Sequence, residues 1–245
     1  MGYKRILLKI SGEVLAGKAG HGFDFEVINA VCEKIKILRE KGIQVGLVIG
    51  GGNFWRGRTG GSMDRVKADY IGMLATVMNG LAVADSLEQA GVPAKVMTAV
   101  EMKQFAEPYV RDNAVKYLEE GKVCIFSAGT GCPFFSTDTC AALRAAETGA
   151  DVILKATNVD GVYDKDPGKN PDAVKYEKVS YSEVLKNDIK VMDAAAFAIC
   201  RDSNIDIIVF KFGWSKDEAG NIMDETGNII TAACGEKIGT LVTNN

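Results

Sequence analysis

Apolar residues along this chain follow two alternating rhythms. Short continuous runs at residues 5–10, 43–49, 94–98, 123–127, 151–156 and 205–210 read as strands, the first of them buried on both faces. Between them lie longer stretches with apolar residues at helical spacing. Residues 25–41 place Ile28, Val31, Cys32, Ile35 and Leu38 on one stripe and stop at Gly42. Residues 65–89 end before Gly91, with Ile71, Leu74, Val77, Met78 and Leu81 as the expected inward stripe. Residues 138–148 and 194–203 are helical by the same test. Strands alternating with helices predict an α/β fold, a three-layer α/β/α sandwich around a central, mainly parallel sheet. No linker or repeat divides residues 1–245, so one domain is expected, with a polar loop or hairpin at residues 215–227.

Composition narrows the chemistry. Of 245 residues, 47% are apolar and 25% charged, the profile of a soluble globular protein. A net charge of −3 without a long basic run argues against nucleic acid or an anionic membrane as the main partner. No apolar run approaches the roughly 20 residues that cross a bilayer, and the N-terminus leads directly into a strand. A cytoplasmic location is therefore expected. The six cysteines form no C-x-x-C pair and are expected to be reduced, mostly buried thiols. His21 is the single histidine, which excludes a two-histidine zinc site and any Ser-His-Asp machinery that does not use it. Chemistry here must run on Lys, Arg, Asp, hydroxyls and backbone dipoles.

Such groups gather after the strands, where open parallel sheets bind ligands. The first strand ends in Lys9-Ile-Ser-Gly-Glu13 and the second in Gly50-Gly-Gly-Asn53, with Arg56 beyond. The run at 123–127 leads into Gly129-Thr-Gly-Cys-Pro-Phe-Phe-Ser-Thr-Asp138, a loop delivered to a helix start where Thr137 or Asp138 is the expected N-cap. The run at 151–156 ends in Thr157-Asn-Val-Asp-Gly-Val-Tyr163. Glycines let backbone N–H groups approach phosphate oxygens, a helix N-terminus favours anions, and Lys9 and Arg56 can neutralise charge. Gly12-Glu-Val-Leu-Ala-Gly-Lys18 matches the P-loop spacing, but Ala19 replaces the hydroxyl that would bind magnesium, so the match is read as accidental.

Taken in order, these motifs resemble those of the bacterial UMP kinases, members of the amino-acid-kinase superfamily and unrelated to P-loop kinases. Asp69-x-x-Gly-Met-Leu-Ala-Thr-x-Met-Asn79, Val191-Met-Asp193 and Gly239-Thr240 extend the resemblance over nearly the whole chain. It implies the carbamate-kinase-like fold and ATP-dependent phosphorylation of UMP to UDP in pyrimidine biosynthesis, with Mg2+ bound through the nucleotide and no direct protein ligand for the metal. By the resemblance, Lys9 and Asp138 are catalytic: Lys9 contacts the transferring phosphoryl group and Asp138 orients it. Lys9, Ile10, Ser11, Gly12, Gly52, Arg56, Thr157, Asn158, Tyr163 and Asp166 would bind ATP. Gly51, Asp69, Thr130, Gly131, Cys132, Pro133, Phe134, Phe135, Ser136 and Thr137 would bind UMP, Asp69 through the ribose hydroxyls. Gly17, Lys18, Ala19, Gly20, His21 and Gly22 align with a region implicated in GTP activation, and UTP inhibition and a homohexamer are further implications. Asp160 and Asp193 fit the family as well as ordinary turn or capping roles.

The acceptor is itself a phosphate, largely ionised near pH 7, so the task reduces to alignment and charge neutralisation without an obvious general base. The chain departs from the family pattern at Cys132, where Asn is common, in a slightly short stretch from Trp55 to Asp69, and in an apparent insertion at residues 215–227 near Lys211 and Trp214. Two other readings share part of the pattern. One is a superfamily kinase acting on a carboxylate or carbamate, which gives no reason for the 130–137 loop. The other is a non-catalytic nucleotide-binding regulator, which would tolerate loss of Lys9 or Asp138.

Overall fold

The computed structural model describes residues 2–55, 62–187, 189, 191–216 and 222–244. Six strands coincide with the six apolar runs to within a residue: β1 (Arg5–Ile10), β2 (Gln44–Ile49), β3 (Ala94–Thr98), β5 (Val123–Ser127), β6 (Val152–Thr157) and β10 (Asp206–Lys211). Shorter strands complete the set: β4 (Glu107–Pro108), β7 (Val162–Tyr163), β8 (Lys175–Tyr176), β9 (Lys178–Ser180), β11 (Trp214–Lys216), β12 (Ile222–Asp224) and β13 (Thr240–Thr243). The helices are α1 (Phe25–Glu40), α2 (Arg65–Gln89), α3 (Arg111–Glu119), α4 (Thr137–Thr148), α5 (Tyr181–Lys186), α6 (Ala194–Asp202) and α7 (Asn228–Ala233).

Nine strands form one sheet in the order β4-β3-β5-β2-β1-β6-β10-β13-β9, parallel throughout except between β10 and β13. Alternation along each strand divides the core. Ile6, Leu8 and Ile10 of β1 pack with α1, α2 and α7 on one face, while Leu7 packs with α3, α4, α5 and α6 on the other. This is the expected three-layer α/β/α sandwich. Residues 215–227 contain the expected hairpin, β11 antiparallel to β12; its tip lies outside the described residues.

Helix α2 departs from expectation. Val77 is buried as anticipated, but Ile71, Leu74, Met78 and Leu81 are exposed. The face against the sheet is instead made of Ala68, Ala75, Thr76, Asn79, Gly80 and Val83. Proximity decides this: a Cβ on Gly80 would meet Ser127 Oγ of β5 at 2.3 Å, so only small residues fit at the contact. By length and composition alone α2 would also pass as a membrane span, yet one face of it is packed into the core, as in the core helix of a soluble protein.

Candidate active site

The carboxyl ends of β2, β1 and β6 lie side by side at the centre of the sheet. Gly50 N donates to Ile10 O at 3.0 Å, and a Cβ on Gly12 would meet Gly50 O at 2.2 Å. The turns after β1 and β2 therefore touch, bringing Ser11 and Gly12 against the Gly50–Asn53 turn. Gly51 is equally confined, with Gly72 O of α2 2.8 Å from where its Cβ would lie. Gly52 would place a Cβ 2.9 Å from Glu13 Oε1.

Lys9 and Lys155 are paired in register on β1 and β6, so both side chains leave the sheet on the α4 side. Between them stands Asp138. Lys9 Nζ lies 2.7 Å from Asp138 Oδ1, and Lys155 Nζ donates to Oδ2 at 2.6 Å. The Lys9 contact is an ion pair off hydrogen-bond alignment, whereas the Lys155 contact is aligned. Burial opposes the negative charge of Asp138, but the two ammonium groups outweigh it and hold the carboxyl below its ordinary range. Burial likewise pushes the Lys155 ammonium below its ordinary value, Asp138 opposes that and Lys9 adds to it.

Asp138 is available for this role because it is not the helix cap. Ser136 is the N-cap of α4, its Oγ accepting from Asp138 N at 3.0 Å and Thr139 N at 3.4 Å. Neither Thr137 nor Asp138 is the cap, a correction to the sequence expectation: Ser136 has the extended backbone a cap requires and the others are already helical. Ser136 Oγ also donates to Asp193, which receives Thr139 Oγ1 at 2.7 Å and caps α6 through Ala196 N at 2.9 Å. Asp193 thus fastens α6 to the start of α4 and fixes where Asp138 is presented.

On the β2 side, Gly51, Trp55, Asp69, Thr130, Phe135 and Thr137 help line a cavity of about 130 Å³. Asp69 lies in the second turn of α2, beyond the cap at Asp64, and accepts from Arg65 Nε at 2.9 Å and Phe134 N at 2.8 Å. Phe134 has φ +71°, a left-handed backbone uncommon for a bulky side chain, and its ring and that of Phe135 are exposed. Gly131 packs on Ala99, and the exposed Cys132 donates through its backbone N–H to Thr130 Oγ1. Gly131, Cys132, Pro133, Phe134 and Ser136 shape the loop without lining the cavity.

On the β6 side, a cavity of about 520 Å³ is lined by Lys155, Thr157, Gly161, Tyr163, Asp166 and Val209 among others. Tyr163 donates to Asp160 Oδ1 at 2.7 Å. Asn158 is not part of this group; it lines a separate cavity of about 640 Å³ with Lys18, Phe212 and Trp214. Arg56 lies outside the described residues. The segment Gly17-Lys18-Ala19-Gly20-His21-Gly22 abuts the β2 turn: Gly22 N donates to Asn53 O at 3.1 Å, Asn53 Nδ2 to Gly22 O at 2.9 Å, and His21 stacks edge-on to Phe54. Asn53 and Asn79 exchange reciprocal side-chain bonds at 2.9 and 2.8 Å, tying that turn to α2.

Sequence reasoning missed Lys155 and the Asn53–Asn79 pair as site-building residues. The available signal was a lysine inside the run Val152-Ile-Leu-Lys-Ala-Thr157, where burial demands an anionic partner.

The family model for the amino acid kinase family matches residues 4–211. UMP kinase from Bacillus anthracis is similar at 38% identity and a TM-score of 0.92, over 100% of this chain and 98% of that one. UMP kinase from Ureaplasma parvum is 39% identical, with a TM-score of 0.86 over 99% and 100% of the two chains. Uridylate kinase from Archaeoglobus fulgidus is 26% identical, with a TM-score of 0.72 over 99% and 100%. With the family model spanning most of its length and full-length similarity at 38–39% identity, the chain belongs to the amino acid kinase family.

Proposed function

We propose that this chain transfers the γ-phosphoryl group of ATP to UMP, releasing ADP and UDP. The observation that carries the reading is the Lys9–Asp138–Lys155 cluster between two cavities, supported by full-length similarity to UMP kinases at 38–39% identity. The β6-side cavity takes ATP, with Thr157, Tyr163 and Asp166 on its wall. The β2-side cavity takes UMP. It is smaller than the roughly 300–1,000 Å³ usual for ligand sites, so the 130–137 loop must open for the acceptor. Asp69 would then exchange its bond from Phe134 N for bonds from the ribose hydroxyls. In one chain, the N-terminal part thus serves UMP and the C-terminal part ATP.

The phosphoryl group passes in line between two phosphates, and its equatorial oxygens carry charge that Lys9 is placed to meet. Asp138, 2.7 Å from its Nζ, holds Lys9 in place. Magnesium enters with ATP, since Mg2+ is usually held by one or two carboxylates together with substrate phosphates. Among the described residues there is no group of three or more His, Cys, Asp or Glu that could hold a metal ion. The exposed stripe Ile71, Leu74, Met78 and Leu81 on α2 supports a homo-oligomer, read as the hexamer. The cysteines among the described residues are all free thiols, and four buried ones are pushed up to about 11 or 12 by burial, which suits a reducing cytoplasm. GTP activation through residues 17–22 and UTP inhibition belong to the same reading. A coupled ADP-release assay across UMP, CMP, dCMP, glutamate, aspartate and carbamate tests it: turnover is expected with UMP, and a preference for a carboxylate or carbamate would overturn it.

A further inference from the structure

One donor on the acceptor side is left without a partner. Trp55 ends the turn after β2, its backbone N–H donating to Gly51 O at 3.0 Å, and the residue helps line the cavity of about 130 Å³ with Asp69 and Thr130. The indole Nε1 is shut off from water and has no acceptor among the described residues. Buried donors without partners are uncommon, and an indole can only donate, so no rearrangement of protons relieves this one. Gly72 of α2 locates it. Cδ1, the ring atom bonded to Nε1, lies 3.9 Å from where a Gly72 Cβ would stand, and beyond the helix itself no other described atom comes within 4 Å of that point. Gly72 follows Asp69 by three residues, which puts the two on one helix face. The N–H edge of the ring therefore stands over the face of α2 that presents Asp69.

We propose that Trp55 sets the sugar specificity of the acceptor site, its indole N–H donating to the 2′-hydroxyl oxygen of the ribose whose hydroxyls donate to Asp69. The inference rests on the kinase reading above. A carboxylate only accepts, whereas each ribose hydroxyl brings one donor and two acceptor lone pairs. Asp69 can take the protons of the 2′- and 3′-hydroxyls but offers nothing to their oxygens. Trp55 offers the complement, a donor with no other partner, over the same face of α2. The opening of the 130–137 loop that the size of the cavity requires would withdraw Phe135 from the cavity wall and release Asp69 from Phe134 N. Both ribose partners would become available in one movement. A 2′-deoxy acceptor would leave the indole N–H unpaired once the loop closed, and a site whose buried polar group is left unpaired rejects such an analogue.

The test is Trp55→Phe in the full-length chain, which keeps an aromatic ring and removes the N–H, with steady-state kinetics on UMP and dUMP. The KM for UMP should rise about fivefold or more, while kcat with UMP, the KM for dUMP and the KM for ATP each change less than about twofold. The preference for UMP over dUMP should shrink by the same factor. Equal losses with UMP and dUMP, or no loss with either, would overturn the inference, because packing alone does not sense the 2′-hydroxyl. Fluorescence supplies a second measurement if the Phe variant does not fold. Trp214 is the only other tryptophan, so Trp214→Phe leaves Trp55 as the sole indole. Its emission at saturation should shift more with UMP than with dUMP; equal shifts, or none, would overturn the inference. Failure of the wild type to form UDP would overturn the kinase reading and this inference together. An active wild type that turns over dUMP as readily as UMP would overturn this inference alone.

Discussion

Replacing Asp138 by Asn preserves shape and removes the one carboxylate that both lysines contact. Its side chain is 16% exposed and those of Lys9 and Lys155 are 13% and 9%, so water would screen little of the resulting repulsion. Removing one partner of a buried ion pair typically costs about 3–5 kcal/mol. For a chain of this size each kcal/mol lowers Tm by about 2–4 °C, so a fall of about 6–20 °C is expected at pH 7. The deficit should depend on pH. Burial already depresses Lys155 in the folded wild type, and without Asp138 that depression deepens. As pH rises through the lowered folded value, the unfolded chain still binds a proton that the folded variant has released, so stability of the variant rises with pH. The gap from wild type should therefore narrow between pH 7 and 9. It should also close in acid, because Asp138 in the wild type has a lowered folded value and its contribution is lost as pH falls through that value. Thermal melts of both proteins from about pH 2 to 9, with kcat measured wherever both are folded, make the comparison. A variant melting within about 2 °C of wild type at pH 7, with parallel pH profiles, would refute the argument that this carboxylate holds two charged lysines.

Lys9→Met should lower kcat at least about 100-fold, since loss of a charge contact made in the transition state typically costs about 3 kcal/mol or more; a folded variant with near-normal kcat in steady-state assays would remove Lys9 from the reaction. Asp69→Asn should raise the KM for UMP about tenfold, leave the KM for ATP nearly unchanged and shrink any preference for UMP over dUMP. Equal weakening toward both substrates would make Asp69 a residue of the loop rather than of the acceptor. GTP titration of the wild type and of His21→Ala should show activation that the variant weakens; rates and UMP affinity indifferent to GTP would leave residues 17–22 as a connecting loop.

Much of this arrangement was readable from the chain because it is local. Continuous apolar runs announce parallel strands, and glycines after Ile49 and around Lys9 announce tight turns at their ends. What escaped depends on distance between elements. The expected inward face of α2 collects its largest apolar residues, as burial area alone would favour; the structure buries its smallest, because Gly80 must clear Ser127. Thr137, Asp138 and Ser136 are all acceptable caps by type, and only backbone conformation separates them. The place of Lys155 beside Asp138 follows only once its register with Lys9 is known.

The reciprocal amide pair has a consequence for the ageing of the protein. Asn79 is followed by Gly80, and asparagine is among the residues most prone to thermal decay. Deamidation proceeds when the next backbone nitrogen attacks the side-chain carbonyl, a step that glycine hinders least. Here Asn79 lies within a helix, fully buried, with its amide donating to Gly50 O at 2.6 Å and to Asn53 Oδ1 at 2.8 Å. The packed helix withholds the geometry that ring closure needs, so this dipeptide is chemically durable only while α2 is seated. Each opening of α2 would start a clock. An isoaspartyl or aspartyl residue at 79 could not restore both bonds, and a carboxylate in that buried place would keep the helix from reseating. Accumulated deamidation at one position would thus record how often the acceptor side of the enzyme has come apart.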